Sequence, residues 1–160
     1  MIGRRLPRLI LLCGLPGSGK TTLAKRLASE VPALRLCPDE WMAELGVDLF
    51  DEQFRDRLER VFRKHALDLL RIGQSVILEF GFWSRAERDE MRVAGRALGV
   101  SVELHYLAVP FDELVRRVDA RHSEGMVGTV PITRELMTEY QRLFQAPGQD
   151  EVDLFDYSQP

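Results

Sequence analysis

Gly14-Leu15-Pro16-Gly17-Ser18-Gly19-Lys20-Thr21 sets two glycines around four residues and follows them with a lysine and a hydroxyl residue. That is the spacing of a loop that wraps a phosphate. Glycines let the backbone take positive φ and approach an anion closely, so successive N–H groups turn inward on it. A helix starting near Lys20 adds the positive end of its dipole. Gly14, Pro16, Gly17, Ser18 and Gly19 are therefore the expected nucleotide contacts, with Lys20 as a point charge. Thr21 offers an oxygen to Mg²⁺, and Thr22 continues the contact surface. A plain strand-to-helix turn is the competing explanation. The apolar run before Gly14 and the amphipathic segment after Lys20 count against it.

Other residues have types and positions suited to phosphate chemistry. Asp39 follows the second apolar run much as the loop follows the first. Ligands of open parallel sheets lie at such carboxyl ends, so its carboxylate is placed to orient a hydroxyl or take its proton. Capping a helix after Pro38 is its structural alternative. Glu79 closes the run Val76-Ile77-Leu78, where an acid can assist Mg²⁺ or simply face solvent. Arg117 and Arg121, four apart, share one side of a helix. Over a nucleotide they would neutralise phosphate charge; otherwise they form a solvated face. Trp41, Phe80, Phe82 and Trp83 stand near the same strand ends and are expected to line an apolar pocket or pack the core. His65, on an apolar stripe, is expected to be packed or at a pocket rim rather than a metal ligand.

These residues need elements to hold them. Apolar runs bounded by turn residues alternate with helical periods, the pattern of an α/β domain with parallel strands. Strands are expected at 8–13, 34–37, 75–80 and 100–109. Helices are expected at 20–30, after Asp39, at 51–72 with Phe54, Leu58, Val61, His65, Leu69 and Ile72 as its stripe, from a Ser84 capping box to about 98, and from Pro110 with Leu114, Val115 and Val118 inward. Thr133 caps a last helix to about Phe144, and residues 122–133, poor in large apolar side chains, read as mobile.

With 160 residues, 45% hydrophobic and 29% charged, the chain suits one domain over residues 1–160. No run approaches the roughly 18 apolar residues of a membrane span, and Leu9–Cys13 is too short for a secretion signal. Cys13 and Cys37, the only cysteines, are expected as reduced thiols in a cytoplasm. Acids outnumber bases 25 to 22, although arginine outnumbers lysine 19 to 3. That balance offers no basic stripe for nucleic acid.

Taken together, the loop Gly14–Thr21, the segment Cys37-Pro38-Asp39-Glu40-Trp41, the strand ending at Glu79 and the arginines Arg117 and Arg121 resemble P-loop kinases of the AAA_33-like group. That group includes chloramphenicol phosphotransferases, zeta-toxin-like kinases and polynucleotide 5′-kinase domains. The resemblance implies a three-layer P-loop NTPase fold. Its five-stranded parallel sheet has order 2-3-1-4-5, with helices on both faces and a mobile lid at about 121–133; only 152–155 offers a fifth strand. It also implies ATP and Mg²⁺, Asp39 as base, Arg117 against adenine and Arg121 on the phosphates. In polynucleotide kinases and zeta-like toxins an arginine follows the aspartate by three residues, where this chain has Met42. The expected activity is transfer of the γ-phosphoryl group to a small-molecule hydroxyl, with Lys20, Asp39 and Arg121 catalytic and Thr21 and Glu79 at the metal. A polynucleotide or nucleotide-sugar kinase is the nearest alternative. A regulatory nucleotide switch is the alternative of another class, and the absence of an Asn-Lys-x-Asp motif counts against a GTPase.

Overall fold

The chain alternates strands and helices as its pattern predicts. A computed structural model describes residues 5–125 and 131–159. In chain order the elements are β1 (Arg8–Cys13), α1 (Lys20–Glu30), β2 (Ala33–Leu36), α2 (Pro38–Glu44), α3 (Glu52–Arg71), β3 (Ser75–Gly81), α4 (Arg85–Ala97), β4 (Ser101–Tyr106), α5 (Phe111–Ser123), α6 (Arg134–Leu143), α7 (Gln149–Val152) and β5 (Tyr157–Gln159). Four parallel strands make the body of the sheet and the three-residue β5 extends its edge, giving the order β2-β3-β1-β4-β5. Among the described residues no helix is long and apolar enough to cross a membrane.

The alternation of side chains along β1 divides the core. Leu9, Leu11 and Cys13 join Leu78 and Leu104 against Phe62 and Ala66 of α3 and Met91 of α4. Ile10, Leu12 and Ile77 face Leu23, Ala24 and Leu27 of α1. Both faces of β1 are therefore dry, as a central parallel strand requires. A third cluster, with Leu114, Val115 and Val118 of α5 and Met137 of α6, packs on Leu15 and so props the flank of the phosphate loop.

Caps fall where the sequence puts them at Ser84, which forms a full capping box, and at Thr133, which accepts from the Leu136 amide. Elsewhere the structure corrects the reading. The fifth strand is at Tyr157–Gln159 rather than at 152–155, because Val152 ends α7 and Phe155 is buried in the core. Asp156 then clips the chain to β4, its amide donating to the Val102 carbonyl and its carboxylate accepting from the Val102 amide. The inward face of α3 is also rotated. Glu59, Phe62, Ala66 and Leu70 are buried, whereas Val61 and Ile72 are 61% and 71% exposed and His65 is exposed. Moving one position along a helix turns the face by about 100°. Asp39 does not cap α2: Cys37 is the N-cap, Pro38 takes the first helical position and Asp39 stands in the first turn. The expected lid begins in the last turns of α5, and its residues 126–130 lie outside the described residues.

Candidate functional site

The phosphate loop is shaped by its glycines. Gly17 and Gly19 have φ of 84° and 97°, values that L side chains resist. A Cβ on Gly17 would also stand 3.0 Å from the Leu114 carbonyl oxygen, so only glycine lets the loop lie against α5. A Cβ on Gly14 would stand 2.6 Å from Ser18 Oγ, and the Gly14 amide donates to the Gly81 carbonyl at 3.0 Å, tying the loop to the end of β3. Lys20 Nζ donates to the Gly14 and Leu15 carbonyls, both at 3.0 Å. Burial lowers this ammonium to about 8, with Asp39 opposing the shift and Arg121 adding to it. Ser18 Oγ is buried with no hydrogen-bond partner among the described residues, and Thr22 is exposed.

Strand order brings the other groups to the loop, because β2, β3 and β1 lie side by side and end at the same edge. A cavity of about 420 Å³ opens there, lined by Pro16, Gly17, Gly19, Lys20 and Thr21 of the loop and by Asp39, Glu79 and Arg121. Thr21 Oγ1 donates to Glu79 Oε1 at 2.9 Å. Glu79 is buried rather than solvent-facing, and Arg35 Nε donates to its second oxygen at 2.8 Å. Burial raises the Glu79 carboxyl, against the pull of Arg35 and Thr21. Asp39 lies at the cavity wall with Arg55 Nη2 2.6 Å from Oδ1. The two α5 arginines divide. Arg121 lines the cavity, whereas Arg117 stands behind the loop, donating to the Gly17 carbonyl at 3.2 Å and to Glu113 at 2.9 Å.

Of the four aromatics, Phe80 and Trp83 line the cavity. Phe82 is core, and Trp41 is 47% exposed with its ring edge on Phe62. Met42, at the position of the absent arginine, is fully buried. Sequence reasoning missed part of what lines the cavity. Glu52, Arg55, Asp56 and Glu59 of α3 line it together with Glu87 of α4 and Tyr140 of α6. The spacing of 52, 55, 56 and 59 is a polar stripe at helical period, and it was the available signal. Glu59 is 8% exposed, and burial raises its carboxyl to about 7, with Arg63 opposing and Glu87 adding. Cys13 and Cys37 are free and buried, and burial pushes both thiols up to about 12. Among the described residues no group of three or more His, Cys, Asp or Glu is arranged to hold a metal.

This arrangement of loop, strand ends and sheet order has known counterparts. The model of the AAA_33 family, an AAA domain, matches residues 9–147. The chain belongs to the AAA_33 family. Among curated proteins, this AAA_33 chain is 46% identical over 61 residues to ATP-dependent zinc metalloprotease FtsH 4 of Sphaerobacter thermophilus. That stretch is 37% of this chain and 9% of the protease. It is 40% identical over 75 residues to the chloroplastic FTSH 7 of Arabidopsis thaliana, covering 46% of this chain and again 9% of the relative. Among solved structures it is similar to the Pnkp1/Rnl/Hen1 RNA repair complex (TM-score 0.71, 22% identity, 94% of this chain and 47% of that one). It also resembles a sugar kinase from Janibacter sp. (0.62, 22%, 91% and 82%) and a gluconokinase from Sinorhizobium meliloti (0.60, 20%, 92% and 81%). The AAA_33 chain thus has the fold of the P-loop kinases.

Proposed function

We propose that the protein is an ATP-dependent phosphotransferase that moves the γ-phosphoryl group to a hydroxyl of a small molecule. The observation carrying this reading is that Lys20 and Asp39 face one cavity, the carboxylate held by Arg55 at 2.6 Å. A phosphate-binding ammonium and a hydroxyl-orienting carboxylate across a shared space are the two parts phosphoryl transfer needs from a protein.

The residues present fit the implied nucleotide and metal. The loop turns at Gly17 and Gly19, and the Lys20 ammonium has only carbonyl oxygens as hydrogen-bond partners among the described residues. Thr21 Oγ1 and the Glu79 carboxylate offer hard oxygen donors to Mg²⁺. ATP with Mg²⁺ supplies the phosphoryl group and neutralises part of its charge. Lys20 and Arg121 stabilise the remaining negative charge of transfer. Asp39 accepts the acceptor's hydroxyl proton as the new oxygen–phosphorus bond forms and the old one breaks. Arg117, at the back of the loop, holds Gly17 in place.

The nucleic-acid reading draws on likeness to an RNA repair complex. Buried Met42 in place of an arginine and the Asp and Glu side chains lining the cavity oppose it, since phosphate contacts dominate nucleic-acid affinity. The test is Asp39→Asn. Acceptor-dependent ADP release should fall at least about a hundredfold, while calorimetry should show Mg-ATP uptake retained. ADP release equal to wild type would remove Asp39 from the mechanism.

A further inference from the structure

We infer that Arg35 is a positioning residue for the metal of the bound nucleotide: from outside the cavity it fixes the Glu79 carboxylate so that the Thr21 hydroxyl presents its lone pairs to Mg²⁺. This rests on the kinase reading above and adds to it a residue of β2.

Strand pairing puts the three groups on one face of the sheet. Arg35 of β2 stands opposite Ile77 of β3, and Glu79 comes two residues later on that strand. Residues two apart on a strand share a face. Ile77 packs on α1, and the first turn of α1 carries Thr21. Thr21 and Glu79 line the cavity, whereas Arg35 does not. Its guanidinium therefore acts on a ligand there through these two side chains.

The hydrogen bonds give each partner its own oxygen of Glu79. Arg35 Nε donates to Oε2 at 2.8 Å, and Nη2 lies 2.8 Å from the same oxygen. Nη2 also donates to Glu40 Oε1 at 2.8 Å, which anchors the guanidinium to the first turn of α2. Oε1 of Glu79 is left to Thr21, whose Oγ1 donates to it at 2.9 Å. A hydroxyl has one proton and two lone pairs. With its proton fixed on Glu79, Thr21 keeps its lone pairs for a hard cation. A carboxylate free to turn would leave that hydroxyl without a set direction.

Burial makes the arrangement depend on the guanidinium. The Glu79 side chain is 1% exposed, and among the described residues Arg35 is the one cation within ion-pair distance of it. A carboxylate buried this deeply needs both a countercharge and donors. Arg35 supplies them in one planar fork that reaches Glu79 and Glu40 together; a lysine would supply the charge from a single nitrogen.

The experiment is calorimetry of ATP binding in Mg²⁺ and in EDTA, whose ratio is the factor by which the metal strengthens nucleotide uptake. Arg35→Lys keeps the charge, and thermal melting checks that it folds. The metal factor should fall at least about tenfold in this variant, while metal-free ATP binding stays within about twofold of wild type. Glu79→Gln should lower the factor as well, and adding Arg35→Lys to it should lower it no further. Glu40→Gln, at a half-exposed position where folding is not at stake, frees one side of the guanidinium and should lower the factor in the same direction. Equal losses with and without the metal would mark Arg35 as merely structural and overturn the inference. An unchanged metal factor in the Arg35 and Glu40 variants, or additive losses in the double variant, would overturn it too. Wild-type protein that takes up no Mg-ATP would instead overturn the kinase reading.

Discussion

Lys20 is the residue whose chemistry is most tightly set by its surroundings. Burial lowers its ammonium to about 8, so near pH 9 most of the free protein carries it uncharged, and a bound polyphosphate would restore the charge. Mg-ATP titrated at about pH 9 into buffers of different ionisation enthalpy should therefore show uptake of a proton, lost in Lys20→Ala. Equal apparent enthalpy in all buffers would contradict this. Glu59 has the opposite leaning, its carboxyl raised to about 7 with Arg63, Arg55, Glu87 and Asp56 around it. A folded-state value above the unfolded one means that the native state holds the extra proton, so this site's stability is present at low pH and lost as pH rises from about 4.5 to 7. Glu59→Gln should consequently raise the melting temperature at pH 8, by up to about 3 kcal/mol in stability, and the gain should vanish by pH 4. The phosphate loop was legible because its parts are contiguous. Glu59 was not, because a carboxyl on a buried helical face contradicts the rule by which buried faces are found.

Among elements, the corner after β3 does most to place the site. Gly81 and Phe82 have positive φ of 84° and 49°, and Gly81 receives the amide of Gly14. Arg88 of α4 fixes this corner by donating to the Phe82 carbonyl at 2.7 Å, and it is itself held by Glu151 of α7 through two hydrogen bonds, the second at 2.9 Å. Both charges are almost fully buried, at 1% and 2% exposure. Removing one leaves the other unpaired in the interior, so Glu151→Ala should cost about 3–5 kcal/mol in urea unfolding. The double change Arg88→Met with Glu151→Leu should recover much of it. A loss below about 1 kcal/mol in the single variant would show that the staple is dispensable. The four-residue α7 and the displaced β5 escaped the sequence because neither carries a period of its own; their positions follow from this ion pair and from Asp156. The rotated face of α3 escaped for a different reason. Apolar residues occur on both of its sides, and only packing against β3 decides which turns inward. Ser84 and Thr133, by contrast, act through bonds three residues away and were readable directly.

At the scale of the whole molecule, the order β2-β3-β1 is what turns separate strand ends into one cleft. Asp39, Glu79 and the phosphate loop leave neighbouring strands at the same edge, and α5, which follows β4, brings Arg121 to the same cavity. The cleft carries both signs of charge. Lys20 and Arg121 line it together with the carboxyl groups of Asp39, Glu79, Glu52, Asp56, Glu59 and Glu87. The fate of γ-labelled phosphate tests this account most directly. Incubated with labelled ATP, Mg²⁺ and hydroxyl compounds, the protein should deliver the label to a small-molecule product, with free phosphate as a minor one. Label released wholly as inorganic phosphate, whatever hydroxyl compound is present, would contradict it.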